Sequence, residues 1–396
     1  MAPDDEQHEV EERVEKLLAE FPPSHTPEVT FLGAQFDAGL AFVHFPEGCG
    51  GLGLSRALQP VISSALRRAG APSGAGRNPI GYGMAAPTIL TMGSDIQRRR
   101  YLRPLFTCEE VWCQLFSEPG AGSDVASLAT RAVRDGDEWV INGQKVWTTL
   151  AHTATFGMVL ARSDPDAEKH KGLTYFVVDM HAPGVEVRPL RQMTGDAEFN
   201  EVYFTDVRVA DAERLSEVGE GWRGALVTLM NERVSIAGTP PPRGSGPIAS
   251  ATAVWADLPE SARTPVLRDR LMRLWAEAEV QRLTRMRATA AAALGTPGPE
   301  GSLGKLAGAE TNKHIYEFCV DLLGAEGMLY DSYQMRRPTG ANEVAIPARA
   351  FLRSRANSIE GGSSEVMRNI IGERVLGLPG DIRVDKGVPW SEVRRN

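Results

Sequence analysis

Over the first twenty residues Val10, Val14, Leu17 and Leu18 recur at helical spacing among glutamates and lysine, which predicts an amphipathic helix. The stretch Phe21-Pro22-Pro23-Ser24-His25-Thr26-Pro27 breaks it. From about residue 30 to 112 the pattern stays mostly helical, with glycine-rich joints at Gly48–Gly53 and Gly70–Gly76. Between about 113 and 215 the period changes. Short β-branched or aromatic runs appear: Val133, Trp139–Ile141, Met158–Leu160, Thr174–Val178 and Val185–Val187. Turn signals such as Asp135-Gly136-Asp137 and Asn142-Gly143 separate them, which predicts an antiparallel β domain with short hairpins. Helical periodicity returns near 220, where Leu226, Leu229, Met230 and Val234 share a face. A long helix is predicted from about Val266 to Leu294. Loops are expected at Gly238–Pro247 and Gly295–Ser302, and the tail after Pro379 is polar and ends near Trp390. No internal repeat is visible. The order helical, β, helical gives an α+β chain, divided at 1–112, 113–217 and 218–396.

A chain of 396 residues can bury a large core and fits two or three such domains. A net charge of -8 leaves no basic excess for phosphates, so no nucleic-acid partner is expected. The short clusters Arg98–Arg100 and Arg394-Arg395 read as solvated surface. The cysteines Cys49, Cys108, Cys113 and Cys319 have neither metal-ligand nor disulfide-framework spacing. No run of 18 apolar residues and no apolar leader appear, which predicts a cytoplasmic protein without stable membrane insertion.

One motif misleads. Gly48-Cys49-Gly50-Gly51-Leu52-Gly53 satisfies GxGxxG, but the acidic residue a dinucleotide-binding unit needs about twenty positions on would fall in Gly70–Gly76, which has none. It reads as a joint between helices.

The stretch Cys113–Thr149 carries the chemistry. It holds Ser117-Glu118-Pro119-Gly120-Ala121-Gly122-Ser123-Asp124 and then Asn142-Gly143-Gln144-Lys145-Val146-Trp147-Thr148-Thr149. Ser117 and Thr149 offer hydroxyl donors and Trp147 a stacking face, as a flat polar cofactor requires. The small residues of Gly122-Ser123-Asp124 allow a ligand close to the backbone, and a hydroxyl there could equally cap its own turn.

In these motifs the sequence resembles the acyl-CoA dehydrogenase family, FAD-dependent enzymes that desaturate acyl thioesters. The resemblance implies an N-terminal helical domain, a β-barrel-like middle domain and a C-terminal four-helix bundle. It implies that Ser117 and Thr149 bond the flavin, that Trp147 packs beside it, that Gln114 and Phe116 line it, and that Ser123 touches the acyl-CoA. Such an enzyme needs a carboxylate to take the α-proton, flavin N5 to take the β-hydride, and a donor to the thioester oxygen. The family carries its glutamate at one of two places. At the first, Gly362-Ser363-Ser364-Glu365-Val366 matches the family's loop and puts Gly361 at the catalytic position, so Glu360 falls one residue short and aims elsewhere. The second is the helix after Gly221-Trp222, where Leu229-Met230-Asn231-Glu232-Arg233 supplies Glu232 as base. A helical Glu is more often half of an ion pair. Arg233 points away and is assigned beside the CoA, and the N–H of Gly361 is assigned to the thioester oxygen.

The chain also departs from the family. No Arg-x-x-Phe-Gly occurs in Arg243–Pro259, where many members reach a neighbour's FAD pyrophosphate. Gly324-Ala325-Glu326-Gly327 is similar to the adenosine-side loop with one glycine changed, leaving Gly324 and Gly327 as cofactor candidates. The pattern resembles an actinobacterial-type subgroup with bulky substrates and, in some members, paired non-identical subunits. The expectation is therefore fatty-acid or steroid side-chain β-oxidation with an acyl-CoA substrate, an electron-transfer flavoprotein as electron acceptor, and a homo-oligomer or a homologous partner subunit. An acyl-CoA oxidase, or one half of a hetero-oligomeric dehydrogenase, are the alternatives.

Overall fold

In α1 (Pro3–Glu20) the apolar stripe buries Val10, Val14 and Leu17 against Ile62 and Leu66 of α3 (Gln59–Arg68) and Phe31 of α2 (Glu28–Asp37). The computed structural model describes residues 3–237, 241–293, 300–340, 346–382 and 385–393, without the side chains at 3, 4, 233–237, 291–293 and 300. The rejected glycine motif is a folded-back joint. The N–H groups of Ala41 and Phe42 both bond the Gly50 carbonyl, and a Cβ on Gly51 would meet the Phe45 oxygen at 2.2 Å. Two further helices, α4 (Ala86–Met92) and α5 (Asp95–Thr107), complete this region. Ser94 and Gln97 cap α5 reciprocally, each bonding the other's N–H, and Cys108 ends it in the left-handed region at φ 59°.

The chain then enters a seven-stranded sheet: β1 (Trp112–Leu115), β2 (Arg131–Asp135), β3 (Glu138–Thr149), β4 (Phe156–Arg162), β5 (Leu173–Asp179), β6 (Val185–Pro189) and β7 (Phe199–Ala210). The strand order is β1-β4-β2-β3-β7-β6, with β5 also on β4. The hairpin read at Asp135-Gly136-Asp137 is present, pairing Asp135 with Glu138 around Gly136 at φ 65°. Two expectations need correction. The sheet is not wholly antiparallel, because β1 runs parallel to β4, Trp112 opposite Phe156. The pair is separated by the whole β2–β3 hairpin, so no turn signal announces it. Asn142-Gly143 is no turn either. It is an irregularity within β3, where a Cβ on Gly143 would meet Thr130 Oγ1 at 2.4 Å.

After the sheet come α6 (Gly221–Ala237), α7 (Pro247–Asp257), α8 (Pro265–Ala293), α9 (Glu300–Leu323), α10 (Pro347–Ser354) and α11 (Ser364–Arg374). The long helix is described through Ala293, its predicted end at Leu294 lies outside the described residues, and Glu300–Ser302 of the loop expected at Gly295–Ser302 are helical in α9. Ile248, Leu271, Leu274, Ile315 and Phe318 form a core shared by α7, α8 and α9. A second core joins the first helical region to the sheet and α6 through Tyr101, Trp112, Met158, Tyr175 and Ala225. The polar tail returns to the sheet, where Trp390 lies under the Arg162 guanidinium at 4.5 Å. No described helix is long and apolar enough to cross a membrane.

Candidate active site

The segment Phe116–Glu118 leaves β1 and is fixed from beneath by a buried ion pair. Lys145 on β3, with 0% of its side chain exposed, donates to Glu118 Oε1 at 2.8 Å and to the carbonyls of Phe116 and Leu160 at 3.1 and 2.8 Å. Glu118 also accepts from Ala129 N at 2.7 Å and Thr130 N at 2.9 Å. Burial alone would push the Glu118 carboxyl up. The Lys145 ammonium and the bonds from Thr130 and Ala129 outweigh it and hold Glu118 below the ordinary carboxylate range. Burial pulls the Lys145 ammonium below the usual lysine range, against the attraction of Glu118. Sequence reasoning passed over both residues. The signal was a lysine in the middle of a strand, which is costly unless a partner is provided.

One residue beyond Lys145, Val146 N bonds the Ser117 carbonyl at 2.8 Å, so the two motifs meet edge to edge. The β3–β7 ladder then breaks its register between Lys145 and Thr148, and Trp147 takes φ 60°. For an aromatic residue that backbone costs about 1–3 kcal/mol, and such outliers cluster at ligand sites. The break throws the indole outward to 56% exposure, edge-on to Phe199 at 5.8 Å. Ser117, Gln114 and Thr149 are half-buried, Thr149 opposite Phe199 in the ladder. Phe116 differs. Its ring is 4% exposed and packs edge-on to Tyr175 at 5.6 Å, inside the core.

Two side-chain paths join this surface to the C-terminal helices. Along the first, Arg353 on α10 lies 5.7 Å over the Phe199 ring, 3.7 Å from Glu198, and forks onto Glu360 at 3.0 and 2.8 Å. Asn357 adds a third bond to Glu360 at 2.8 Å. Burial would lower the Arg353 guanidinium, but the bonds to Glu360 more than offset it and raise it. The N–H groups of Ile359 and Glu360 both bond the Ala356 carbonyl, after which the chain turns left-handed at Gly361 (φ 63°) and Gly362 (φ 90°). Along the second path, Tyr175 Oη reaches Thr228 Oγ1 on α6 at 3.1 Å, and Thr88 Oγ1 on α4 does so at 2.9 Å. A Cβ on Gly224 would meet the Tyr175 ring at 2.8 Å, so α6 sits hard on β5. Glu232 follows Thr228 by four residues, one turn along the same face, and is half-buried.

The remaining candidates lie elsewhere. Ser123 is exposed, and in the turn after it Asp124 accepts from Ser127 Oγ at 2.6 Å and from Lys169 Nζ at 2.9 Å. Gly324 ends α9 at φ 58°, and a Cβ on Gly327 would meet the Val320 oxygen at 2.6 Å, so α9 by itself requires both glycines. None of the described contacts joins them to the Ser117–Thr149 surface. The Arg233 side chain lies outside the described residues.

Three models of the acyl-CoA dehydrogenase family match this chain: the N-terminal domain over residues 4–109, the middle domain over 113–207 and the C-terminal domain over 219–376. The acyl-CoA dehydrogenase IpdE1 of Mycobacterium tuberculosis is 41% identical over 349 residues, 86% of each chain. Among solved structures, the Tcur3481-Tcur3483 steroid ACAD superposes with a TM-score of 0.73 at 26% identity, covering 96% of this chain and 99% of that one. The ChsE4-ChsE5 complex from Mycobacterium tuberculosis superposes with a TM-score of 0.71 at 27% identity over 96% and 99%. A helical region, a curled sheet and a second helical region, matched in that order by the three domain models, define an acyl-CoA dehydrogenase. The chain belongs to the acyl-CoA dehydrogenase family and is an oxidoreductase of that kind.

Proposed function

We propose that this enzyme binds FAD on the Ser117–Trp147–Thr149 surface and desaturates an acyl-CoA between its α and β carbons, with Glu232 as the base. The observation that carries this reading is the engagement of Glu360, the competing carboxylate. Glu360 is engaged by a bidentate guanidinium and an amide, and freeing it for proton transfer would leave Arg353 half-buried beside Phe199. Glu232 projects from a helix anchored on the Tyr175–Thr228 contact, on the side where Phe116 and β1 lie.

The donor set fits the cofactor. An isoalloxazine needs donors along one edge and an apolar face, and two half-buried hydroxyls beside an outward indole supply them. When bound, FAD supplies the acceptor for the β-hydride at N5. The chain does the rest. Ser117 and Thr149 orient the ring, Trp147 shields one flank, Gln114 lines it, and Phe116 fixes the height of β1 from below. Glu232 takes the α-proton, and the Gly361 N–H faces the charge that develops on the thioester oxygen. Ser123 and Arg233 belong to the acyl-CoA path. Trp147→Ala should leave melting within about 1 kcal/mol of wild type, because the ring is exposed. It should release flavin more readily, as measured by fluorescence of the ultrafiltrate.

A second subunit is part of the proposal. Val280, Leu283 and Met286 leave a stripe on α8 at 62%, 50% and 46% exposure, which suits burial against another chain. The missing Arg-x-x-Phe-Gly removes a cross-subunit contact to FAD, and one structural relative is described as a complex of two differently named chains. Gly324 and Gly327 keep their place in this reading as the adenosine-side loop. Protein that purifies colourless alone and yellow with a co-expressed homologue identifies a paired enzyme. A fully flavin-loaded homo-oligomer removes that part. Electrons then pass to an electron-transfer flavoprotein, and the setting is cytoplasmic lipid or steroid side-chain oxidation. Reoxidation that proceeds in air without an acceptor would instead favour an oxidase.

A further inference from the structure

Two residues that carry side chains, Trp147 at φ 60° and Leu150 at φ 53°, take the left-handed backbone and bracket Thr148 and Thr149. Such strain persists only where the surroundings over-determine the chain. The hold here is Asn200 on β7, which sits opposite Thr148 in the ladder and is 0% exposed. Its Nδ2 donates to the Thr148 carbonyl at 3.1 Å and to the Glu198 carbonyl at 3.1 Å. The same Glu198 carbonyl accepts from Leu150 N at 2.8 Å, so one amide is bonded at both ends of the strained stretch. That amide is gripped in turn from the segment between α9 and α10. Arg337 donates to Asn200 Oδ1 at 2.8 Å. His152 Nδ1 lies 3.2 Å from Asn200 Nδ2. An amide nitrogen offers no lone pair, so Nδ1 accepts, and Nε2 carries the proton that it donates to the Pro338 carbonyl at 3.0 Å. That tautomer is neutral, and burial together with the Arg337 charge holds His152 below its ordinary range. Arg336 docks the segment on the chain before β7: its side chain bonds Asp196 Oδ1 at 2.9 and 2.7 Å, its N–H bonds the Gly195 carbonyl, and its carbonyl accepts from Ala197 N at 2.7 Å.

We propose that Asn200 and Arg337 are positioning residues of the flavin surface: Asn200 holds the strained Trp147–Leu150 backbone through the Thr148 carbonyl, and Arg337 locks the Asn200 amide in its donating orientation. This rests on FAD lying against Ser117, Trp147 and Thr149. A side-chain amide can turn over and exchange its donor for its acceptor, which here would set an oxygen against two carbonyls. A guanidinium has donors only, so Arg337 bonds the oxygen and excludes the reversed orientation. The C-terminal region thereby sets the geometry of a surface built on the middle domain, acting through Asn200.

The test compares wild type, Arg337→Met, Arg337→Lys and Asn200→Asp, each prepared with any partner subunit, stripped of flavin and titrated with FAD. Visible circular dichroism of the bound flavin and amide exchange of the peptide spanning residues 146–152 are recorded alongside. Arg337 is exposed, so Arg337→Met should shift the melting of the flavin-free protein by no more than about 2 °C. It is expected to weaken FAD about tenfold, to speed exchange in the peptide and to change the flavin dichroism. Arg337→Lys, which keeps a donor, should recover most of the affinity. Asn200→Asp keeps the volume and the Arg337 pair but turns a carboxylate oxygen on the Thr148 carbonyl, and should weaken FAD by about tenfold or more. Wild-type affinity and dichroism in both Arg337→Met and Asn200→Asp overturn the proposal. So does a loss of FAD matched by an equal loss of flavin-free stability, which marks a role in packing alone. Wild-type FAD affinity in the triple variant Ser117→Ala, Trp147→Ala, Thr149→Val overturns the placement of the flavin instead, whatever Arg337→Met does to exchange.

Discussion

Glu232→Gln lowers the turnover of a matched acyl-CoA by about a hundredfold to ten-thousandfold, the usual worth of a positioned general base. The amide is nearly isosteric and keeps the helix face, so binding of acyl-CoA and of flavin should change little. The loss belongs in kcat and kcat/KM together, the mark of an interaction made in the transition state. Glu360→Gln is the paired control. It keeps one oxygen for Arg353 and Asn357 but loses the charge, so the expected result is modest destabilisation with turnover within about tenfold of wild type. Stopped-flow reduction under anaerobic conditions separates the two variants without an electron acceptor.

The second large effect is structural. Lys145→Met leaves Glu118 buried without its cation, and breaking a buried pair from one side costs about 3–5 kcal/mol. It also removes the donor to the Phe116 and Leu160 carbonyls, so the Ser117 segment loses its support. Thermal melting should fall sharply and flavin should leave with it. The pH dependence has a definite sign. The folded Glu118 carboxyl lies below its ordinary value of 4.5, so its contribution is complete above that pH and is lost as pH falls through the folded value. Melting curves between neutral pH and about pH 3 should therefore show a smaller acid-side loss in Glu118→Gln than in wild type. Equal acid-side losses would show that the pair does not govern acid stability.

Local patterns survived contact with the structure, and non-local ones did not. Val10, Val14 and Leu17 declare a helix because a 3.6-residue period is written within one element, and Asp135-Gly136-Asp137 declares a hairpin for the same reason. The parallel pairing of β1 with β4 has no such local mark, since Trp112 and Phe156 lie far apart in sequence. Asn142-Gly143 looked like a turn because glycine there is required. The requirement comes from Thr130 occupying the side-chain space, not from a change of direction. At the site, Trp147 is exposed at the β3 register break and Ser117 and Thr149 are half-buried. Lys145 and Glu118 were invisible as a pair because 27 residues separate them. Phe116 is read as lining the flavin, and its ring lies in the core beside Tyr175. The argument that Glu360 stands one residue out of register needed only sequence, and the guanidinium fork now gives that carboxylate a separate occupation.

The most direct test of the account is anaerobic bleaching of the flavin absorbance by acyl-CoA in wild type, Glu232→Gln and Glu360→Gln, prepared with any partner subunit. The prediction is bleaching in wild type and Glu360→Gln and none on the same timescale in Glu232→Gln. Bleaching that survives in Glu232→Gln and vanishes in Glu360→Gln would contradict the account and return the base to the C-terminal loop.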